Sequence, residues 1–138
     1  MKVILDTNIL LSGFFFGGLP ARILEAWHRG QLTLVLSAPI LAEYRAAGAE
    51  FEADYDGSDF ESLAALIVLT SEIVDAPELL PEQVCADRDD DKFLACALAA
   101  GLRVIVSGDR RLRAVSGWND IRVLSPREFV ELYLPDSA

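Results

Sequence analysis

Three short runs, KVIL at 2–5, LTLVL at 32–36 and VIV at 104–106, are almost unbroken apolar sequence. Successive strand side chains point to opposite faces, so a strand of this kind must be covered on both. Helical patterns separate the runs, and alternation of strand and helix implies right-handed crossovers and a mostly parallel sheet with helices on each side. The fold class is α/β.

The punctuation along the chain supports this division. After Lys2 to Leu5 comes a loop rich in glycine through Gly17 and Gly18, then a helix opened by Pro20 and stopped near Gly30. The strand Leu32 to Leu36 leads to Ser37, a capping residue for a helix with Pro39 in its first turn and Glu43 one turn further on. Ser58 and Glu61 form a capping-box pattern for a helix reaching about Leu69, ahead of a short strand around Ile73 and Val74. The acidic run ADRDDD precedes a helix from Asp91 to Ala100, which Gly101 ends. Val104 to Val106 is a buried strand, followed by a short helix from Arg110 to about Val115 and a strand from Ile121 to Val123. Ser125, Pro126 and Glu128 then open the last helix with cap, proline and capping-box glutamate together. A length of 138 residues suits a single domain over 1–138.

Composition narrows the function classes. Hydrophobic residues make up 52% of the chain, enough for a packed core, and no apolar stretch approaches the roughly 18 residues that span a bilayer. The start, KVILD, has neither a charged leader nor a small-residue cleavage site, so a cytoplasmic protein without a membrane partner is expected. Cys85 and Cys96 are the two cysteines, and a structural disulfide is not expected of them. The single histidine, His28, falls in the first helix, away from the acids, and there is no GxSxG elbow or zinc-ligand spacing. A net charge of −10 opposes a broad phosphate-neutralising surface. The bases, however, crowd the C-terminal third, at Arg103, Arg110, Arg111, Arg113, Arg122 and Arg127, which leaves room for a local phosphate-binding patch.

Asp6, Glu43, Asp91 and Asp109 are distant in sequence, yet each stands where a strand ends or a helix begins its course. Sites in parallel α/β sheets form beyond the carboxyl ends of the strands, so one crevice can gather all four. Like carboxylates a few Å apart do not all stay ionised without a counter-ion. A divalent ion with a preference for hard oxygen ligands, Mg²⁺ or Mn²⁺, is the natural one, and two-metal phosphodiester hydrolysis is chemistry that needs no covalent group from the protein.

The chain resembles the PIN domain family, and most closely the toxin components of bacterial toxin–antitoxin pairs, VapC-like ribonucleases. The matching stretches are LDTNILLSGFFFGGLPARIL, LSAPILAEYR, DRDDDKFLACALAAG, VIVSGDRRL and VLSPREFVELY, in order over nearly the whole chain. The resemblance implies a three-layer sandwich around a five-stranded, mostly parallel sheet. It also implies a metal-dependent endoribonuclease acting on RNA, with a cognate antitoxin as partner and self-association into a homodimer. By position it makes Asp6, Glu43, Asp91 and Asp109 the catalytic metal ligands. Asn8 and Ser107 become supporting polar residues, with Asn8 orienting Asp6 and the Ser107 hydroxyl bonding a carboxylate or phosphate. Asp90 is a candidate outer ligand. Arg111 stands where many relatives carry a further acid, so Arg110 and Arg111 become candidate phosphate contacts.

Other readings compete. Asp87, Asp89 and Asp90 also suit a solvated acidic turn that favours the next helix through its dipole. DYDGSDFE lacks the twelve-residue spacing of a calcium loop and reads as a turn feeding a capped helix. Phe14, Phe15 and Phe16 suit a core or interface plug, with Phe14 and Trp27 as candidate contacts between copies. The net charge and Arg111 also suit a catalytically weakened module that acts by binding. A phosphoacceptor receiver domain is disfavoured, because the first strand ends in one acid rather than an adjacent pair.

Overall fold

The computed structural model describes residues 1–55 and 57–135. In chain order the elements are β1 (Lys2–Leu5), α1 (Thr7–Phe15), α2 (Gly18–His28), β2 (Thr33–Leu36), α3 (Ala38–Asp54), α4 (Phe60–Thr70) and β3 (Glu72–Ile73). After a long connection come α5 (Asp91–Ala100), β4 (Val104–Val106), α6 (Arg110–Arg113), β5 (Arg122–Leu124) and α7 (Pro126–Tyr133). The five strands form one sheet in the order β3-β2-β1-β4-β5, and every pairing is parallel. Val3, Ile4 and Leu5 are all fully buried although they point alternately to the two faces, so helices cover the sheet on both sides. This is the three-layer α/β architecture.

The order places β1 at the centre. The chain leaves β1 for β2 and β3 on one side, then returns across it to β4 and β5 on the other. The carboxyl ends of β1 and β4 therefore flank a topological switch point, where loops diverge and leave a crevice. Ile4 pairs with Ile105 and Leu5 with Val106, which brings Asp6 beside Ser107.

Two details differ from the sequence reading. The stretch after β1 is helical at once, as α1, rather than a loop. Its Gly13 marks close packing: a Cβ there would lie 2.7 Å from Leu24 Cδ1 and 2.8 Å from the Pro20 carbonyl, so only glycine lets α1 and α2 meet at 93°. The α4 cap is Asp59, which accepts from the Ser62 amide at 3.1 Å, whereas the Ser58 hydroxyl donates to the Tyr55 carbonyl. Asp56, within DYDGSDFE, lies outside the described residues. The α5 helix ends at Gly101 with φ 67°, and α7 carries the complete Ser125–Glu128 capping box.

The aromatic run divides at its last residue. Phe14 and Phe15 pack against the core, Phe15 stacking on Phe51 at 5.4 Å, while Phe16 is 62% exposed. Trp27 is buried in the core, which corrects its expected place on an exposed interface. His28 is exposed, and both thiols are free and buried. Among the described residues no single helix is long and apolar enough to cross a membrane.

Candidate active site

Asp6 is the first residue beyond β1 and is almost fully buried. Its amide donates to the Val106 carbonyl at 2.9 Å, which ties the ends of β1 and β4 together. Its Oδ2 accepts from the Ser107 hydroxyl at 2.6 Å, and Ser107 Oγ in turn accepts from the Asp109 amide at 3.0 Å. One fully buried serine thus orients both acids of the switch point. Burial raises the Asp6 carboxyl above its ordinary range despite the bonds from Ser107 and the Thr7 amide, and the Glu43 and Asp109 carboxylates push the same way.

Glu43 reaches the crevice from α3. Its Oε2 accepts from the Thr7 hydroxyl on the first turn of α1, and its Oε1 lies 2.7 Å from Lys92 Nζ. The residue after it, Tyr44, is buried and donates its hydroxyl to the Leu5 carbonyl at 2.5 Å, so α3 is pinned to the end of β1. Lys92 also meets Asp89 at 3.2 Å. Burial works against the Lys92 charge, but the hydrogen bonds it donates to Glu43 and Asp89 prevail and raise its pKa. The crevice therefore contains a cation that the acid pattern alone does not reveal. Beside it, Glu43, Asp89 and Lys92 line an open groove of about 580 Å³ that runs to Glu78.

Asp109 caps α6, its Oδ1 accepting from the Arg111 amide at 2.9 Å, with Arg111 Nε at 3.8 Å. Arg110 and Arg111 are exposed beside it, and Asn8 is exposed on α1. Arg103 and Arg122 instead sit at the amino ends of β4 and β5, on the opposite edge of the sheet, so the C-terminal bases do not form a single patch.

Asp91 requires a correction. Its carboxylate is fully buried and turned away, with Oδ1 accepting from the Cys85 amide at 2.8 Å and Oδ2 from the Val84 amide at 3.1 Å. It fastens the connection that precedes α5. The acid that feels the crevice is Asp90: burial first, then the charges of Asp6, Asp87, Asp109 and Glu43, push its carboxyl up to about 7. Asp90 is therefore the candidate that joins Asp6, Glu43 and Asp109 here.

Among the described residues no three His, Cys, Asp or Glu side chains are disposed to hold a metal ion as they stand. The chemistry of the donors nevertheless fits a hard divalent ion. They are carboxylate oxygens, the donor type such an ion prefers, and burial first, with the neighbouring carboxylates after it, raises Asp6 and Asp90. Asp90 and Asp109 are only partly buried, so their carboxylates are reachable from solvent.

Residues 2–111 match the family model described as the PIN domain. The chain is a PIN domain. Among solved structures, this PIN domain is similar to a chain of VapBC2 from Rickettsia felis bound to a DNA fragment from their promoter, with TM-score 0.58 and 16% identity over 91% of this chain and 98% of that one. It is also similar to PAE2754 from Pyrobaculum aerophilum, with TM-score 0.60 and 16% identity over 97% of this chain and 90% of the other. At such identity the likeness establishes the shared fold. No curated protein matches the sequence.

Thr7, Tyr44 and Lys92 escaped the sequence reading. Lys92 had a signal: it is the one cation in DKFLACALAA, a helix otherwise apolar after its first residue, and a buried lysine needs an anionic partner.

Proposed function

We propose that this PIN domain is a Mg²⁺- or Mn²⁺-dependent endoribonuclease of the cytoplasm, the toxin of a toxin–antitoxin pair. The observation that supports the reading is the meeting of Asp6, Glu43, Asp90 and Asp109 at the switch point between β1 and β4, where Ser107 bonds the Asp6 carboxylate and accepts from the Asp109 amide. Asp6, Asp90 and Asp109 hold the ion, with Glu43 beside them. When bound, the ion supplies the positive charge that activates water and stabilises the leaving oxygen in phosphodiester hydrolysis. Ser107 keeps Asp6 and the Asp109 backbone in register, and Tyr44 keeps α3 against β1. Arg110 and Arg111, at the rim, contact substrate phosphates. Asn8 contributes from α1.

Incubation of the purified protein with RNA tests the reading. Cleavage is expected with Mg²⁺ or Mn²⁺, lost in EDTA and lost in Asp6→Asn at unchanged circular dichroism. Metal-dependent cleavage that survives Asp6→Asn would sink it. The fold likeness to a VapBC2 chain and the family match support a small antitoxin as partner. Co-expression with the product of a neighbouring short reading frame is expected to abolish cleavage, and gel filtration checks self-association through the exposed Phe16.

A further inference from the structure

Glu43 differs from the other acids of the crevice in having its charge already answered. Lys92, whose side chain is only 5% exposed, places Nζ 2.7 Å from Glu43 Oε1, while the Thr7 hydroxyl occupies Oε2. Both oxygens are engaged. Among the described residues no cation pairs with Asp6 or Asp90, and Asp109 meets only the exposed Arg111 guanidinium at 3.8 Å. An incoming divalent ion therefore finds no ammonium group seated at Asp6, Asp90 or Asp109, whereas one already sits at Glu43. A second ion at Glu43 would have to displace that ammonium, which is buried on α5 and held from its other side by Asp89 at 3.2 Å.

We infer that Lys92 takes the place of a second metal ion: it fixes Glu43 and limits the crevice to one divalent cation, held by Asp6, Asp90 and Asp109. This rests on the metal reading above and concerns how many ions the site accepts. Lys92 is accordingly a positioning residue. Binding stoichiometry tests its role without any measurement of cleavage.

Mn²⁺ bound to the full chain is counted by calorimetric titration and by electron paramagnetic resonance of the free ion. One Mn²⁺ per chain is expected in the wild type and two in Lys92→Met, the extra ion disappearing again in the double variant with Glu43→Gln. Should Lys92→Met not fold by circular dichroism, Lys92→Gln, which keeps a donor toward Glu43 and removes the charge, carries the same expectation of two. Two ions in the wild type, or one in a folded neutral variant, overturns the inference while leaving the metal reading intact. No bound ion in the wild type overturns both.

Discussion

Asp90 and Asp91 are adjacent, yet the turn into α5 leaves one carboxyl under the influence of Asp6, Asp87, Asp109 and Glu43 and sends the other onto the amides of Val84 and Cys85. Their substitutions should separate accordingly. Asp91→Asn removes the charge from two buried hydrogen bonds and is expected to cost about 1–3 kcal/mol in chemical denaturation. Asp90→Asn removes a carboxylate that its neighbours oppose, so stability should hold or rise while Mn²⁺ affinity falls at least about tenfold by calorimetry. The reverse pattern would return the site to Asp91. The sequence marks this position as acidic without distinguishing the pair, because α5 is buried on nearly every side and its apolar pattern gives no phase. Asp6 was legible because a residue that directly follows a strand has little choice of edge, and Asp109 lies in the short loop that leaves β4 at the same edge.

Among the elements, caps and close contacts are the parts most open to test. In α7 the Glu128 carboxylate accepts from the Ser125 amide at 3.0 Å, and that bond, with the Ser125 hydroxyl, holds Glu128 below its ordinary range. A depressed folded-state pKa contributes stability above the unfolded value near 4.5 that is lost as pH falls through the folded value. The stability difference between wild type and Glu128→Gln should therefore be present at pH 7 and vanish on acidification toward pH 3, as followed by thermal melts. Gly48 in α3 abuts the ring of Phe60 on α4, where a Cβ would overlap ring atoms. Gly48→Ala, despite alanine's better helix propensity, is expected to destabilise by about 1–3 kcal/mol in urea. These caps and breakers made α5 and α7 readable from residues alone. Helix α1 was not, since Asn8, Ser12, Gly13 and the Gly17–Gly18 pair resemble loop sequence, and its helicity depends on burying Ile9, Leu10 and Leu11.

For the whole molecule, the charge of −10 and the acid crevice make metal binding a matter of stability as well as chemistry. An ion that binds only the folded state adds about 2.7 kcal/mol at a hundredfold excess over its dissociation constant. For a chain of this size that corresponds to a rise in Tm of roughly 5–10 °C with Mn²⁺, reversed by EDTA. Equal melts with and without the ion would remove the metal from the crevice. The parallel class of the sheet followed from its apolar strands, but the central place of β1 did not, because strand order depends on pairings that local sequence does not encode. That placement has a temporal consequence. The hydrogen bond that orients Asp6 comes from a residue 101 positions later. At synthesis rates of about 5–20 residues per second, the first acid waits roughly 5–20 seconds for its partner to be made. A nascent chain therefore carries an incomplete crevice through most of its own translation.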